Sequence, residues 1–320
     1  MSNTELDRAP LRGTIWAICA FVLLAGLWLL VDAWLEQRAI KQDETRLQAL
    51  AGAFATALDA DMARRADHVF SAVRSPHLAT NFDSAQFRSR FVRSLHDADP
   101  AYTWIGILDA EGQVLASTSD LLLGADSSQR PVFVEGRKAP WIGDVHDALM
   151  LAKLIPSPNG EMLRFVDFAA PIKDDNGAFL GVLAVHVGWH WAQQLRDKLL
   201  HGDGSPQHTD LLIISTEGSL LLGRAGEIGS KPSSALAIAG KSGSGIERWQ
   251  NGQDYIVAAA QAQGLGDYKG LGWLTLARKP LQQVGGLQQS IQLWIWPALI
   301  AAAVGFGAIG WSRALRRSGH

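Results

Sequence analysis

Apolar positions along the chain follow three different patterns. From Thr14 to Val31 the text "TIWAICAFVLLAGLWLLV" runs eighteen residues without a charge, and from Leu293 to Trp311 "LWIWPALIAAAVGFGAIGW" runs nineteen more. Each is long enough to cross about 30 Å of hydrocarbon as a helix. Trp16, Trp28 and Trp34 accompany the first run and Trp294, Trp296 and Trp311 the second, in the manner of interfacial aromatic belts. The second pattern has a helical period. Leu47, Leu50, Phe54, Leu58, Met62, Val69 and Val73 recur at steps of three and four and place one apolar stripe on a long helix. Gln48 and Arg65 fall off that stripe and read as exposed. Pro76 ends the helix, and Asp83 or Ser84 caps a second one through "FRSRFVRSL".

The third pattern has the period of strands. "TWIGILDAEGQVLAS" (103–117) reads as strand, tight turn and strand, with Glu111-Gly112 at the turn. "LLIISTEGSLLLG" (211–223) repeats it with Glu217-Gly218, and the two glycines stand 106 residues apart. "LRFVDFAAPI" and "FLGVLAVHV" follow the first hairpin; "GIERW", "DYIVAAA" and "GWLTLAR" follow the second. The same order twice predicts two β-modules of similar plan, each about 100 residues long. "WHWAQQLRDKLLHG" (189–202) reads as a helix closing the first module, 203–209 as the link, and "KPLQQVGGLQQSIQ" (279–292) as a helix feeding the second apolar run.

One stretch fits no period. "RPVFVEGRKAPWIGDVHDA" (130–148) crowds arginines, a lysine, acids, a histidine and aromatics into nineteen residues and reads as a loop. An arginine fork beside an aromatic ring is a directional site for a carboxylate or another planar anion. Arg130 supplies the fork, Phe133 and Trp141 the apolar walls, and Asp144, His146 and Asp167 the groups for the other end of a ligand, the mixture that a small-molecule pocket requires. A salt bridge from Arg130 to Asp144 that holds the loop down is the structural alternative. Asp167 stands inside an apolar strand, where an unpartnered carboxylate is costly. It therefore faces solvent or has a partner.

Composition narrows the classes. The chain has 320 residues, a net charge of −2 and a pI near 6.5, which gives no electrostatic footprint for nucleic acid. Its only cysteine, Cys19, lies in the first apolar run, which excludes a disulfide framework. The first run reads as an uncleaved anchor rather than a signal peptide, because it is long and "VDAWLEQ" offers no small-x-small cleavage site. Arg8 and Arg12 precede it, and Arg313, Arg316 and Arg317 follow the second run. Both tails (1–13 and 312–320) are therefore expected in the cytoplasm, with transmembrane helices over 14–35 and 291–311 and residues 36–290 outside.

No nucleophile elbow, P-loop, zincin helix or kinase or cyclase signature is present, and nothing in the spacing of Asp144, His146 and Ser127 makes a hydrolase. The expected catalytic set is none, and no cofactor is expected. His186 and His190, four apart and in the same module as His146 and Asp144, raise a zinc site. The change from strand to helix around Gly188 argues against their sharing a face, so an unligated role is expected.

The text "YTWIGILDAEGQVLAS", "SQRPVFVEGRKAPWIGDVHDALMLAKLI", "LRFVDFAAPI" and "GAFLGVLAVHVGWHWAQQL" resembles the double Cache sensor domains of bacterial transmembrane receptors, of the kind found ahead of diguanylate cyclase outputs. The resemblance covers about residues 36–290 and is stronger in the first module. It implies an α+β fold: a long N-terminal helix with two PAS-like antiparallel-sheet modules, flanked by two transmembrane helices. Stalk helices would occupy 36–98, a membrane-distal ligand-binding module 99–202 and a membrane-proximal module 203–290. It also implies a periplasmic sensor in the bacterial inner membrane, a homodimer, and a small polar, anionic metabolite as ligand. In the amino-acid-binding subset an arginine followed by two aromatics holds the carboxylate. Here Arg130 takes that place, with Val132 and Phe133 at the aromatic positions. Asp144 and His146 fall in the next segment, and His186 stands where an aspartate is expected. The valine and the histidine depart from the α-amino-acid pattern. No HAMP, kinase or cyclase module follows Trp311, so either the output is a separate cytoplasmic signalling protein or the chain is a truncated or degenerate receptor. The alternatives are a ligand-free module that docks a periplasmic protein, and a degenerate receptor fragment.

Overall fold

The computed structural model describes residues 8–148, 151, 154–155, 162–202, 207–224, 226–284, 295–305, 307–309 and 312. Helix α1 (Arg8–Val73) is continuous over 66 residues, a rod of about 100 Å. An 18-residue window near its start has mean hydropathy 2.3 and is wholly unburied, so among the described residues one helix is long and apolar enough to cross a membrane. Ile295–Ile309 forms a shorter apolar helix. Residues 291–294, 306 and 310–311 of the second candidate span, and the arginines of the 313–320 tail, lie outside the described residues.

Beyond the apolar stretch α1 is the spine of the molecule. Leu47, Phe54, Leu58, Met62 and Val69 are fully buried, as the stripe predicts. Two short helices follow, α2 (Pro76–Thr80) and α3 (Ala85–Ala98), and the Ser84 hydroxyl caps the latter by accepting from the Phe87 N–H. Arg65 corrects its expected exposure. Its guanidinium is buried against the Trp191 ring and donates to Asp99 (3.1 Å) and Asp61 (2.7 Å). Gln48 is likewise engaged, donating to the Ala259 carbonyl at 2.9 Å.

Two five-stranded antiparallel sheets pack on the spine. The distal sheet contains β1 (Tyr102–Asp109), β2 (Val114–Ser117), β3 (Trp141–Asp147), β4 (Arg164–Lys173) and β5 (Phe179–Gly188) in the order β2-β1-β5-β4-β3. The proximal sheet contains β6 (Asp210–Ile214), β7 (Leu220–Leu222), β8 (Gly243–Arg248), β9 (Asp254–Gln261) and β10 (Leu274–Pro280) in the order β7-β6-β10-β9-β8. The topology is the same twice. The inner faces, Ile105, Ile107, Val166, Phe168, Val185 and Val187 in one sheet and Leu211, Ile213, Ile256, Ala258 and Ala277 in the other, share one core with α1. Each outer face has a smaller core of its own.

The segment read as a loop is a helix and a strand. Pro131 lies in the first turn of α4 (Pro131–Gly136), where a missing N–H costs nothing. The alternation of β3 is hidden by a bulge: Gly143 pairs with Asp167 and His146 with Phe165, so three steps on β3 oppose two on β4. Asp144 and Val145 occupy the bulge. A second correction concerns Lys279 and Pro280, which extend β10 instead of opening a helix. The Lys279 ammonium reaches Asp43 of α1 at 2.7 Å, which holds that end of the strand on the spine. Leu281–Gln283 is a single 3-10 turn, and residues 285–294 lie outside the described residues.

The closing helix α5 (His190–Leu200) leads to the junction of the modules. Both Arg164 Nη1 (2.7 Å) and Trp189 Nε1 (3.1 Å) donate to the Leu221 carbonyl, and Trp189 meets Trp273 edge to face. Short helix α6 (Ala235–Ala239) covers part of the proximal outer face.

Candidate functional site

The outer face of the distal sheet carries the polar cluster. Strand alternation sends Phe165, Asp167 and Ala169 of β4 away from α1, and Asp167 lies directly opposite His186 of β5. His146, just past the bulge of β3, comes to the same place. His186 Nδ1 lies 2.5 Å from Asp167 Oδ1, and His146 Nε2 lies 2.9 Å from Asp167 Oδ2. The donor atoms of the three residues all fall within 4.8 Å of one another. Three strands thus deliver two imidazoles and a carboxylate to one point.

Exposure is graded across the cluster: 5% for the Asp167 side chain, 14% for His186 and 43% for His146. Burial pushes the Asp167 carboxyl up, but the neighbouring His186 and His146 outweigh it and hold the group well below the usual carboxylate range. The hydrogen bond to Asp167 raises His146 above the ordinary histidine value. His146 Nδ1 also faces the Asp147 carbonyl at 3.2 Å, so both ring nitrogens of His146 point at oxygen acceptors.

Aromatic rings enclose His186. Its ring lies 5.1 Å from Trp104 and 5.3 Å from Phe165, nearly parallel to the latter. The tripeptide Trp-Ile-Gly occurs at 104–106 and again at 141–143. In both places the indole lies flat along its strand, over the glycine two residues on. A β-carbon would stand 2.2 Å from the Trp104 ring at Gly106 and 2.3 Å from the Trp141 ring at Gly143, so neither site accepts a side chain without displacing the indole. The repeated tripeptide was the sequence signal for Trp104, which the sequence reading left out of the site. Phe165, two residues before Asp167, was legible by the same alternation.

The other expected residues divide. Trp141 borders the outer-face core, and Phe133 is buried within it, with the Arg137 guanidinium 5.5 Å above its ring. Arg130 is exposed at the head of α4, where its carbonyl accepts from Phe133 and Val134. Asp144 does not join the cluster. The bulge turns it toward the proximal module, where its Oδ1 accepts from Trp273 Nε1 at 2.7 Å and from the Val145 N–H. Burial raises its carboxyl, with those two donors opposing. His190 opens α5 and is not among the converging donors.

No protein-family model matches the sequence, and the comparison with curated proteins finds no match. Solved structures do match. The ligand-binding domain of the Pseudomonas aeruginosa PAO1 amino acid chemoreceptor PctC, in complex with GABA, aligns with TM-score 0.53 and 14% identity over 74% of this chain and 99% of that one. The sensory domain of the Campylobacter jejuni chemoreceptor Tlp3 with isoleucine bound aligns with TM-score 0.52 and 11% identity over 77% and 95%. An extracellular ligand binding receptor from Desulfohalobium retbaense aligns over 75% of this chain and only 39% of its own length, with TM-score 0.48 and 16% identity. The fold is that of the double Cache extracellular sensor domains of chemoreceptors and histidine kinases.

Proposed function

We propose that the chain is the sensing part of a membrane receptor and no enzyme, and that its distal module binds a small polar, anionic metabolite on the outer face of the sheet. One observation carries this reading: the buried Asp167 is partnered by two imidazoles, one of them half exposed, within a wall of Trp104, Trp141 and Phe165. His146 and His186 hold the polar end of the ligand, and Arg130, at the head of the covering helix, serves its carboxylate. Phe133 acts from behind by packing the helix onto the sheet. Asp144 acts between the modules rather than on the ligand. GABA and isoleucine are the ligands named for PctC and Tlp3, which supports a ligand of metabolite size.

In this reading residues 14–35 and 291–311 cross the inner membrane, the domain between them is periplasmic, and both tails are cytoplasmic. A phosphatase fusion at the C-terminus that is active in the periplasm overturns that topology. Two copies pair along α1. Cysteines at the exposed Ala53 and Ala60 are expected to crosslink between copies in membranes.

The decisive experiment is a thermal-shift screen of the full chain in detergent against small organic anions. A one-site ligand at a hundred times its dissociation constant adds about 2.7 kcal/mol of stability. That gain is expected to vanish in Asp167→Asn. No shift from any small molecule, alongside a shift from a periplasmic protein, favours a docking module instead.

A further inference from the structure

We infer that His146, Asp167 and His186 form a binding site for one divalent transition-metal ion, zinc foremost, whose remaining coordination positions open on the His146 side. The inference rests on the reading of the distal outer face as the binding face and names the group that anchors the ligand there.

The hydrogen-bond ledger of His146 carries the argument. Its Nδ1 faces the Asp147 carbonyl at 3.2 Å and its Nε2 faces a carboxylate oxygen of Asp167 at 2.9 Å, and both oxygens only accept. A neutral imidazole carries one hydrogen for these two acceptors, so one nitrogen is left with its lone pair against an oxygen. A second proton or a metal ion bound by that nitrogen removes the conflict. A ring nitrogen that donates to a backbone carbonyl while the other binds metal is the usual outer-shell arrangement of a metal-bound histidine.

Charge and ligand type favour the metal. With both imidazoles neutral the trio carries −1 at the centre of a face that is to hold an anion. A divalent ion turns it to +1. Two imidazole nitrogens and one carboxylate suit zinc, which binds through three protein groups and leaves a further position for an exogenous donor. The three donors come from adjacent strands of one sheet, so the site is positioned by the backbone ladder rather than by a loop. Bringing their atoms to metal–ligand distances of about 2.0–2.2 Å from a common point requires only side-chain adjustment from the present spread of 4.8 Å or less. Access runs past His146, the most exposed of the three.

The test uses tag-free full chain in detergent, stripped with a chelator and titrated with Co²⁺, whose visible d–d absorption reports coordination. One equivalent per chain is expected, displaced by Zn²⁺. His146→Ala, His186→Ala and Asp167→Asn are each expected to weaken binding more than about tenfold, while His190→Ala binds as the parent does. His146 is half exposed, so its variant keeps the fold and carries the test even where the buried pair does not tolerate substitution. No stoichiometric uptake, or equal uptake by the His146→Ala protein, overturns the site. Repeating the organic-anion screen in excess chelator separates the two claims. A stabilising anion there, with no Co²⁺ uptake, removes the metal and leaves the sensor reading standing. Co²⁺ uptake with no anion response keeps the metal and removes the metabolite. Failure of both removes both.

Discussion

The two sheets have one topology, and their registers can be laid over each other. Gly112 and Gly218 occupy the same turn, which sets Trp104 against Asp210. Because Trp104 pairs with His186 and Asp210 with Arg278, the place of His186 in the distal sheet is taken by Arg278 in the proximal one. In the same way Val257 stands for Asp167, Tyr255 for Phe165 and Glu247 for His146. The proximal site is closed from within. Arg278, 1% exposed, donates to Asp210 and to both oxygens of Glu227 and lies under the rings of Trp249 (4.2 Å) and Tyr255 (5.1 Å). Glu247 is turned to the Leu236 N–H at the start of α6. The same address holds a finished ion pair in one module and, in the other, a carboxylate whose partners are two imidazole rings. Under the function proposed above, one copy of the scaffold serves structure and the other recognition.

Arg278→Met strikes the comparison hardest. It takes the guanidinium from Glu227 and one of two from Asp210, which keeps Arg224 at 3.0 Å, and empties the space under Trp249 and Tyr255, so a loss of about 3 kcal/mol is expected in urea unfolding of the full chain. A loss within the range of an ordinary surface change means that the ion pair is not what closes the proximal site.

The two turn glycines come next. Both have positive φ, 94° at Gly112 and 81° at Gly218, but a β-carbon at Gly112 meets the Ser128 backbone at 2.7 Å whereas at Gly218 it meets open space. Gly112→Ala is expected to cost about 2 kcal/mol or more and Gly218→Ala about 1 kcal/mol. Equal losses would show that the distal turn gives way more easily than its packing implies.

Trp273→Phe keeps most of the ring in the junction and removes the donor to Asp144, for an expected loss of about 1 kcal/mol. A double-mutant cycle with Asp144→Asn is expected to be non-additive. Additive losses would mean that the bond joins the modules in geometry but not in energy.

The smallest effect is the most telling. His146→Gln is expected to change unliganded stability by less than about 0.5 kcal/mol while removing the response to ligand in the same melting assay. A large intrinsic loss makes the distal cluster as structural as the proximal one.

Much of the fold was legible because its signals are local. The stripe from Leu47 to Val73, the Ser84 cap and the paired Glu-Gly turns each act over a few residues. The site was only half legible. His146, Asp167 and His186 stand out as polar residues in apolar text, but their convergence depends on a bulge and on strand order, which no short window contains. Asp144 shows the limit. One extra residue in β3 sends it to the opposite face from His146, two positions away, and its partner Trp273 lies 129 residues further along. The loop reading of 130–148 failed for the same reason, because a bulged edge strand has no clean period of two.

The uninterrupted α1 has a consequence best put in terms of angle. Between Leu11 and Val73 no proline breaks it, so the bearing of the apolar stretch is set by that of the buried stripe, at about 100° per residue. One residue inserted between Leu35 and Leu47 turns the two parts against each other by about 100° and separates them by about 1.5 Å. Seven inserted residues restore the bearing to within about 20°. The helix therefore keeps the sheets and the apolar segment in phase.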